Sequence, residues 1–242
     1  RIFDNADHQS MWVLPEGDGV VDSLIGNTPG DRFYYGEDEQ SETHAFMTDG
    51  VLTLRFEDHR YPLLEMDDLS LIGRHNIRNA LAASLATRLV GVPAESIAAG
   101  LHTARPLPHR LELVAARNGV VWLNDSKATN VAATRSALES LTQPVVLLLG
   151  GVDKGEDFRS LIPSVAHLRA VLAYGAAAPR IVSEVEDAVL VAGDLGLVVQ
   201  RAKKLAEEGD VILLSPACSS FDMFDNYEER GQVFAALARE SL

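Results

Sequence analysis

The chain has 242 residues, with 21 Lys and Arg against 35 Asp and Glu, a formal net charge of −14 at pH 7; a hydrophobic share of 47% excludes a disordered chain, and the length suits one or two domains. The acidic balance argues against a general nucleic-acid binder, which needs cations along the phosphates, but leaves room for a local basic pocket. The one cysteine, Cys218, excludes an internal disulfide and a Cys-rich zinc site, and fits a reducing, cytoplasmic setting.

The chain starts at Arg1-Ile2-Phe3 without Met, which suggests a piece of something longer, and residues 1–10 carry no apolar signal-peptide core. No stretch reaches the roughly 18 to 20 apolar residues that span a bilayer. Residues 1–70 read as short strands at Trp12-Val13-Leu14, Phe33-Tyr34-Tyr35, His44–Met47 and Val51–Leu54, with Asp49-Gly50 as a tight hairpin turn. Ile77, Ala80, Leu81, Leu85 and Leu89 recur at helical spacing, so a helix is expected over 76–90, begun by Asn76 as N-cap and stopped by Gly91. Pro93 opens a second helix to about Leu101. Two prolines in Arg105-Pro106-Leu107-Pro108 mark a linker, with a domain boundary at about 106.

Beyond it, Leu111–Ala115 and Val120–Leu123 flank Asn118-Gly119, a second hairpin signal. Continuous apolar runs follow at Val145–Leu149, Ala170–Tyr174, Ala188–Ala192 and Val211–Leu214. Helical patterns lie at Ala132–Leu141, Phe158–Val165, Leu195–Ala206 and Glu228–Ala238. Strands without polar alternation are buried on both faces, so residues 107–242 read as an α/β domain with a mostly parallel sheet and helices on both sides.

Ligands of such sheets bind beyond the carboxyl ends of the strands. The segments there are Asn124–Asn130, Gly150–Lys154, Gly175 and Ser215–Ser220. Three of them carry lysine, hydroxyls or glycines, which together describe a cleft for an anionic small molecule. Lys127 is a candidate for neutralising a phosphate or a developing oxyanion, or else a surface lysine paired with Asp125. Lys154 is a candidate carboxylate ligand or a solvated loop residue. Asp125 can bind a ribose hydroxyl or serve a turn, Ser219-Ser220 can bind a carboxylate or cap a helix, and Gly150-Gly151 is a common turn former. Arg110 can reach a triphosphate or be an ordinary strand arginine. Metal-ligand spacing, a Gly-x-Ser-x-Gly elbow and a Walker loop are all missing from the sequence.

The strings GRHNIRNA (73–80), PHR (108–110), NDSKATN (124–130), LLGGVDK (148–154) and LLSPACSSFDMFDNYEERG (213–231) occur in that order. This set resembles the Mur ligase family, most specifically its D-glutamate-adding branch. Sister ligases carry an Asp-Tyr or Asp-Gly pair followed by a histidine where NDSKATN stands. The resemblance is strong from about residue 70 onward and loose before it. It implies that 1–106 are the later part of a central ATP-binding domain, α/β with a small antiparallel portion. Residues 107–242 would then be a complete Rossmann-like C-terminal domain. It also implies ATP-dependent addition of D-glutamate to UDP-N-acetylmuramoyl-L-alanine in peptidoglycan synthesis, with ATP and Mg2+, by a cytoplasmic monomer with no nucleic-acid or membrane partner.

Carried over by position, Asn76, Arg110 and Asp125 match nucleotide contacts, and Lys127 matches the lysine beside the reacting phosphoryl group. Thr129, Lys154, Ser220, Phe221 and Tyr227 match the D-glutamate site, where the family more often has Leu for Phe221 and Phe for Tyr227. The family's phosphate loop, metal ligands and carbamoylated lysine have no counterpart here, and that lysine is expected just before Arg1. The alternatives are another Mur or folylpolyglutamate-type ligase, or a non-catalytic Rossmann-like binding module.

Overall fold

The prolines at 106 and 108 stand where the chain passes from one folded unit to the next: the computed structural model divides into Arg1–Arg105 and Pro106–Leu242, and describes residues 3–71, 73–161 and 167–240. The first unit holds a mixed five-stranded sheet in the order β1-β2-β3-β4-β5, formed by β1 (Met11–Pro15), β2 (Asp31–Asp38), β3 (Thr43–Thr48), β4 (Val51–Phe56) and β5 (His59–Glu65). β1, β2 and β3 run parallel, and β3, β4 and β5 antiparallel. Asp49 and Gly50 both take positive φ, 50° and 78°, and join β3 to β4 through a two-residue turn. Helices α2 (Arg74–Leu89) and α3 (Ala94–Thr103) close a core of Leu52, Leu54, Leu81, Leu85 and Ile97.

Two elements of this unit escaped the sequence reading. Helix α1 (Gly19–Ile25) is one short amphipathic stretch capped by Asp18, which accepts from the N–H of Val20 and Val21. Strand β5 contains Pro62, which demotes a strand in sequence; here β5 is the edge strand and has only β4 to pair with, so the missing N–H is tolerated.

The second unit is a six-stranded sheet in the order β10-β9-β8-β11-β7-β6. Its strands are β6 (Glu112–Arg117), β7 (Val120–Asn124), β8 (Val145–Gly150), β9 (Leu168–Tyr174), β10 (Val189–Leu190) and β11 (Val211–Leu214). All pairs are parallel except β6 with β7, whose turn residues Asn118 and Gly119 take φ of 51° and 74°. The last strand inserts between β8 and β7, and every residue of β8 and β11 is buried. Successive residues of these strands point to opposite faces. Leu147, Leu149 and Leu213 join a core with α4 (Val131–Glu139) and α5 (Ala178–Glu184). Val146, Leu148, Ile212 and Leu214 join one with α6 (Leu195–Leu205) and α7 (Tyr227–Glu240).

The expected strand over Ala188–Ala192 shrinks to the two residues of β10, an edge strand with a single partner. Of the expected helix over Phe158–Val165, Phe158–Leu161 form a 3-10 turn, and residues 162–166 lie outside the described ones. Helix α5 was not foreseen, because Pro179 interrupts its apolar pattern; proline at a first-turn position costs no hydrogen bond.

Phe234 on α7 is fully buried with its ring 5.9 Å from that of Trp122. Phe234→Ala should lower the unfolding free energy of the second unit by about 3–5 kcal/mol. Urea unfolding followed by Trp122 fluorescence in a Trp12→Phe background measures it.

Candidate functional site

Five loops leave the carboxyl ends of the second unit's strands or run up to β6, and they are held together by short-range contacts. The 150–152 segment must pass against the 218–219 segment: Val152 and Ser219 form a two-way backbone bridge, N to O at 2.9 and 3.0 Å, and the Gly150 N–H donates to the Pro216 carbonyl at 3.0 Å. This explains the glycine pair. A Cβ on Gly151 would lie 2.1 Å from the Ser219 carbonyl oxygen, and one on Gly150 2.0 Å from the Tyr174 oxygen. The turn after β9 joins them through the Asp222 carboxylate, which accepts the Ala176 N–H at 2.8 Å.

The joint is fastened by Arg230, a fully buried residue on α7. Its Nε donates to Ser126 Oγ at 2.9 Å, Nη2 to the carbonyls of Ser126 at 2.8 Å and Cys218 at 3.1 Å, and Nη1 to that of Gly150 at 3.5 Å. One guanidinium therefore ties the ends of β7, β8 and β11. The sequence reading assigned Arg230 no role. Its signal was local: 230, 234 and 238 share one helix face, and an arginine on an otherwise apolar stripe needs acceptors inside the protein. Next to it, burial pushes the Cys218 thiol up to about 12 and the Tyr174 hydroxyl up to about 12, so both stay neutral.

Around this joint the predicted residues fall into groups. Lys127 is exposed; its Nζ meets the Tyr227 hydroxyl at 3.1 Å and lies 5.0 Å from that ring's centroid. The alternative of a Lys127–Asp125 ion pair does not form among the described residues. Asp125 turns inward instead: its carboxylate accepts from Ser215 Oγ at 2.8 Å and the Leu111 N–H at 3.3 Å. Burial raises the Asp125 carboxyl to about 6, opposed by those two hydrogen bonds and by the charge of Arg110. Arg110 is exposed in the turn before β6, not a strand arginine. Both its neighbours, His109 and Leu111, take positive φ, 65° and 44°. His109 is wedged between Asn124, at 3.0 Å, and the Tyr227 ring, at 6.0 Å between centroids. A cavity of about 300 Å3 opens beside it, between Glu112, Asn124, Gly231 and Arg239.

Lys154, also exposed, reaches across to Thr129, Nζ to Oγ1 3.3 Å. Thr129 stands just before α4, whose first turn is capped by Asn130 accepting from Ala133 at 2.8 Å. Ser220 is buried under the 218–224 turn, where its carbonyl accepts from Met223 at 3.1 Å and Phe224 at 2.9 Å; the Ser219-Ser220 pair closes a turn and caps no helix. Phe221 is 73% exposed. Asn76 belongs to the first unit, and the expectation that it caps α2 is corrected. Gly73, with φ of 102°, is the cap, because a residue free to take positive φ lets the chain turn in three residues earlier. Asn76 is then in the first turn, its N–H on the Gly73 carbonyl at 2.9 Å. Among the described residues, no group of three or more His, Cys, Asp and Glu side chains has the geometry to hold a metal ion.

Residues 109–218 match the family described as Mur ligase, glutamate ligase domain. Over 98% of its length the chain is 40% identical to UDP-N-acetylmuramoylalanine--D-glutamate ligase of Acidobacterium capsulatum, and over 97% it is 37% identical to the ligase of that name from Bacillus mycoides. It covers 52% of each, so the chain spans about half the length of the curated relatives it matches. Among solved structures, it resembles MurF from Acinetobacter baumannii (TM-score 0.69, 17% identity, 98% of this chain and 53% of that one). It also resembles MurF ligase from Thermotoga maritima in complex with ADP (TM-score 0.65, 15% identity, 98% and 55%). At these identities the structures speak for the fold.

Two expectations follow from the geometry. Arg230→Met orphans the carbonyls of Ser126 and Cys218 in the interior and should cost at least about 3 kcal/mol of unfolding free energy in urea. For Asp125, whose proton is held more tightly in the folded than in the unfolded chain, the stabilisation is fully present below pH 3.8 and is lost as pH rises through about 6. Relative to Asp125→Asn, the wild type should therefore lose about 3 kcal/mol between those limits and no more above them. A pH series of urea unfolding curves for the two proteins reads this directly.

Proposed function

Residues 109–218 belong to the Mur ligase C-terminal domain family, and from that premise we propose that this chain is the catalytic and amino-acid-binding portion of a UDP-N-acetylmuramoyl-L-alanine:D-glutamate ligase. The observation that carries the reading is the pair of exposed cations, Lys127 and Lys154, each steadied by a neutral hydroxyl at one edge of one sheet. Exposed ammonium groups at the strand ends of an otherwise acidic protein are placed to receive anions, with Glu228 the carboxylate whose charge Lys127 feels. On this reading the first unit is the later part of the ATP-binding domain and contributes Asn76 to the nucleotide. Pro106–Leu242 is the domain that receives D-glutamate.

The chemistry assigns roles as follows. A carboxylate is a poor electrophile, so ATP phosphorylates the terminal carboxylate of UDP-N-acetylmuramoyl-L-alanine. The D-glutamate amine attacks the acyl phosphate, and phosphate leaves. Lys127 supplies positive charge to the transferring group, and Arg110 and Asp125 meet the nucleotide. Tyr227 steadies Lys127. Lys154 takes one substrate carboxylate as a point charge, with Thr129 and Ser220 supplying hydroxyl or backbone donors and Phe221 an apolar wall. Mg2+ would offset phosphate charge; the residues described in this chain do not fit it as a ligand set, and no step here is assigned to it. We read the whole enzyme as a cytoplasmic monomer acting on small molecules, without a nucleic-acid or membrane partner. The net charge is −14, and among the described residues no helix is long and apolar enough to cross a membrane.

Against a different Mur or folylpolyglutamate-type ligase stand relatives at 37–40% identity that carry the D-glutamate name. In the full-length ligase, Lys127→Ala should lower kcat about a hundredfold or more while changing the D-glutamate KM little. Lys154→Ala should mainly raise that KM. Turnover near normal in the first, or an unchanged KM in the second, removes that lysine from its role. An ADP-release assay across an amino-acid panel tests the substrate.

A further inference from the structure

Lys154 sits in a loop of opposite charge. Asp153 precedes it, and Glu156 and Asp157 follow. A carboxylate this near pairs with an ammonium and competes with any anionic ligand for it. Each of the three is engaged elsewhere. Asp157 accepts from Arg159 Nε at 3.0 Å, and Glu156 from the Val131 N–H at 2.9 Å, at the first turn of α4. Asp153, adjacent in sequence, is taken by Arg180 of α5, Nη1 to Oδ1 2.6 Å, and the same oxygen accepts the Gly155 N–H at 2.8 Å.

Arg180 is itself fixed from several sides. Nε donates to Glu184 at 2.7 Å, Nη2 to the Glu156 carbonyl at 2.6 Å, and the guanidinium lies 5.3 Å from the Phe158 ring centroid. Arg180 thus holds both ends of the 153–156 turn, and Lys154 is left to a neutral partner, Thr129.

We propose that Arg180 is a positioning residue of the amino-acid site: by sequestering the Asp153 carboxylate it keeps the Lys154 ammonium available for a carboxylate of the incoming dicarboxylic amino acid. This rests on Lys154 being the substrate's cation. It explains how an ammonium flanked by three acids selects an anion. It also makes a distal helix residue, out of line with any of the loop motifs, a determinant of substrate affinity.

The test is a suppression experiment in the full-length ligase. Arg180→Gln removes the cation from Asp153, leaves only the Gly155 N–H on its carboxylate and lets it compete for Lys154; it should raise the D-glutamate KM about tenfold with kcat and the ATP KM within about twofold of wild type. Adding Asp153→Asn to Arg180→Gln removes the competitor and should bring KM back to within about threefold. A double variant as impaired as the single one shows that Arg180 only supports the fold, and overturns the proposal. If Arg180→Gln is too unstable to assay, Arg180→Lys, which loses the fork but keeps the charge, is compared with and without Asp153→Asn by the same criterion. A crystal structure of the Arg180→Gln chain gives a readout independent of substrate. Lys154 Nζ should have left Thr129 for Asp153, and finding it still on Thr129 refutes the mechanism. A wild-type ligase that does not use D-glutamate would instead refute the substrate assignment alone.

Discussion

A single buried guanidinium holds the second unit's working edge together. Arg230 reaches from α7 to carbonyls at the ends of three strands that are far apart in sequence. Taking a cation out of water is costly unless it is fully hydrogen-bonded, and this one is met by carbonyl dipoles and a hydroxyl in place of a carboxylate. That choice has a consequence for chemistry. A neutralising acid at this point would add negative charge beside the loops that carry Lys127 and Lys154, whereas carbonyl acceptors add none. The glycines at 150 and 151 follow from the same joint, since the backbones approach too closely there for any Cβ.

The electrostatics of the edge are a matter of which charges are satisfied and which are kept open. The protein is strongly acidic, yet three carboxylates close in sequence to Lys127 and Lys154 are engaged elsewhere: Asp125 inward by Ser215 and a backbone N–H, Asp153 by Arg180, Glu156 by the start of α4; Glu228 is the acid whose charge Lys127 feels. The lysines themselves lean on hydroxyls, which fix direction without cancelling charge.

Much of this was legible in the residues. Continuous apolar runs located β8, β9 and β11, because strands buried on both faces cannot alternate; Asp49-Gly50 and Asn118-Gly119 located two of the three hairpins among the described residues, because few residue pairs accept two consecutive positive φ values. The misreadings were cases where context overrides local preference. Pro62 is harmless only on an edge strand, and Asn76 yields the cap to Gly73 because that glycine turns the chain earlier.

What the sequence determined by itself was the inventory: an alternating α/β chain, hydroxyls, lysines and glycines after the strands, and motifs specific enough to name a family. The tertiary structure alone decided which groups meet. Lys127 meets Tyr227 and not Asp125, Ser215 rather than a lysine holds Asp125, and Arg230 becomes the joint; these partners lie 90 to 104 residues apart. Local signals reach only a few residues along a chain. Such contacts exist because β11, last in sequence among the strands, inserts between β8 and β7, a placement set by burying both faces of the sheet at once.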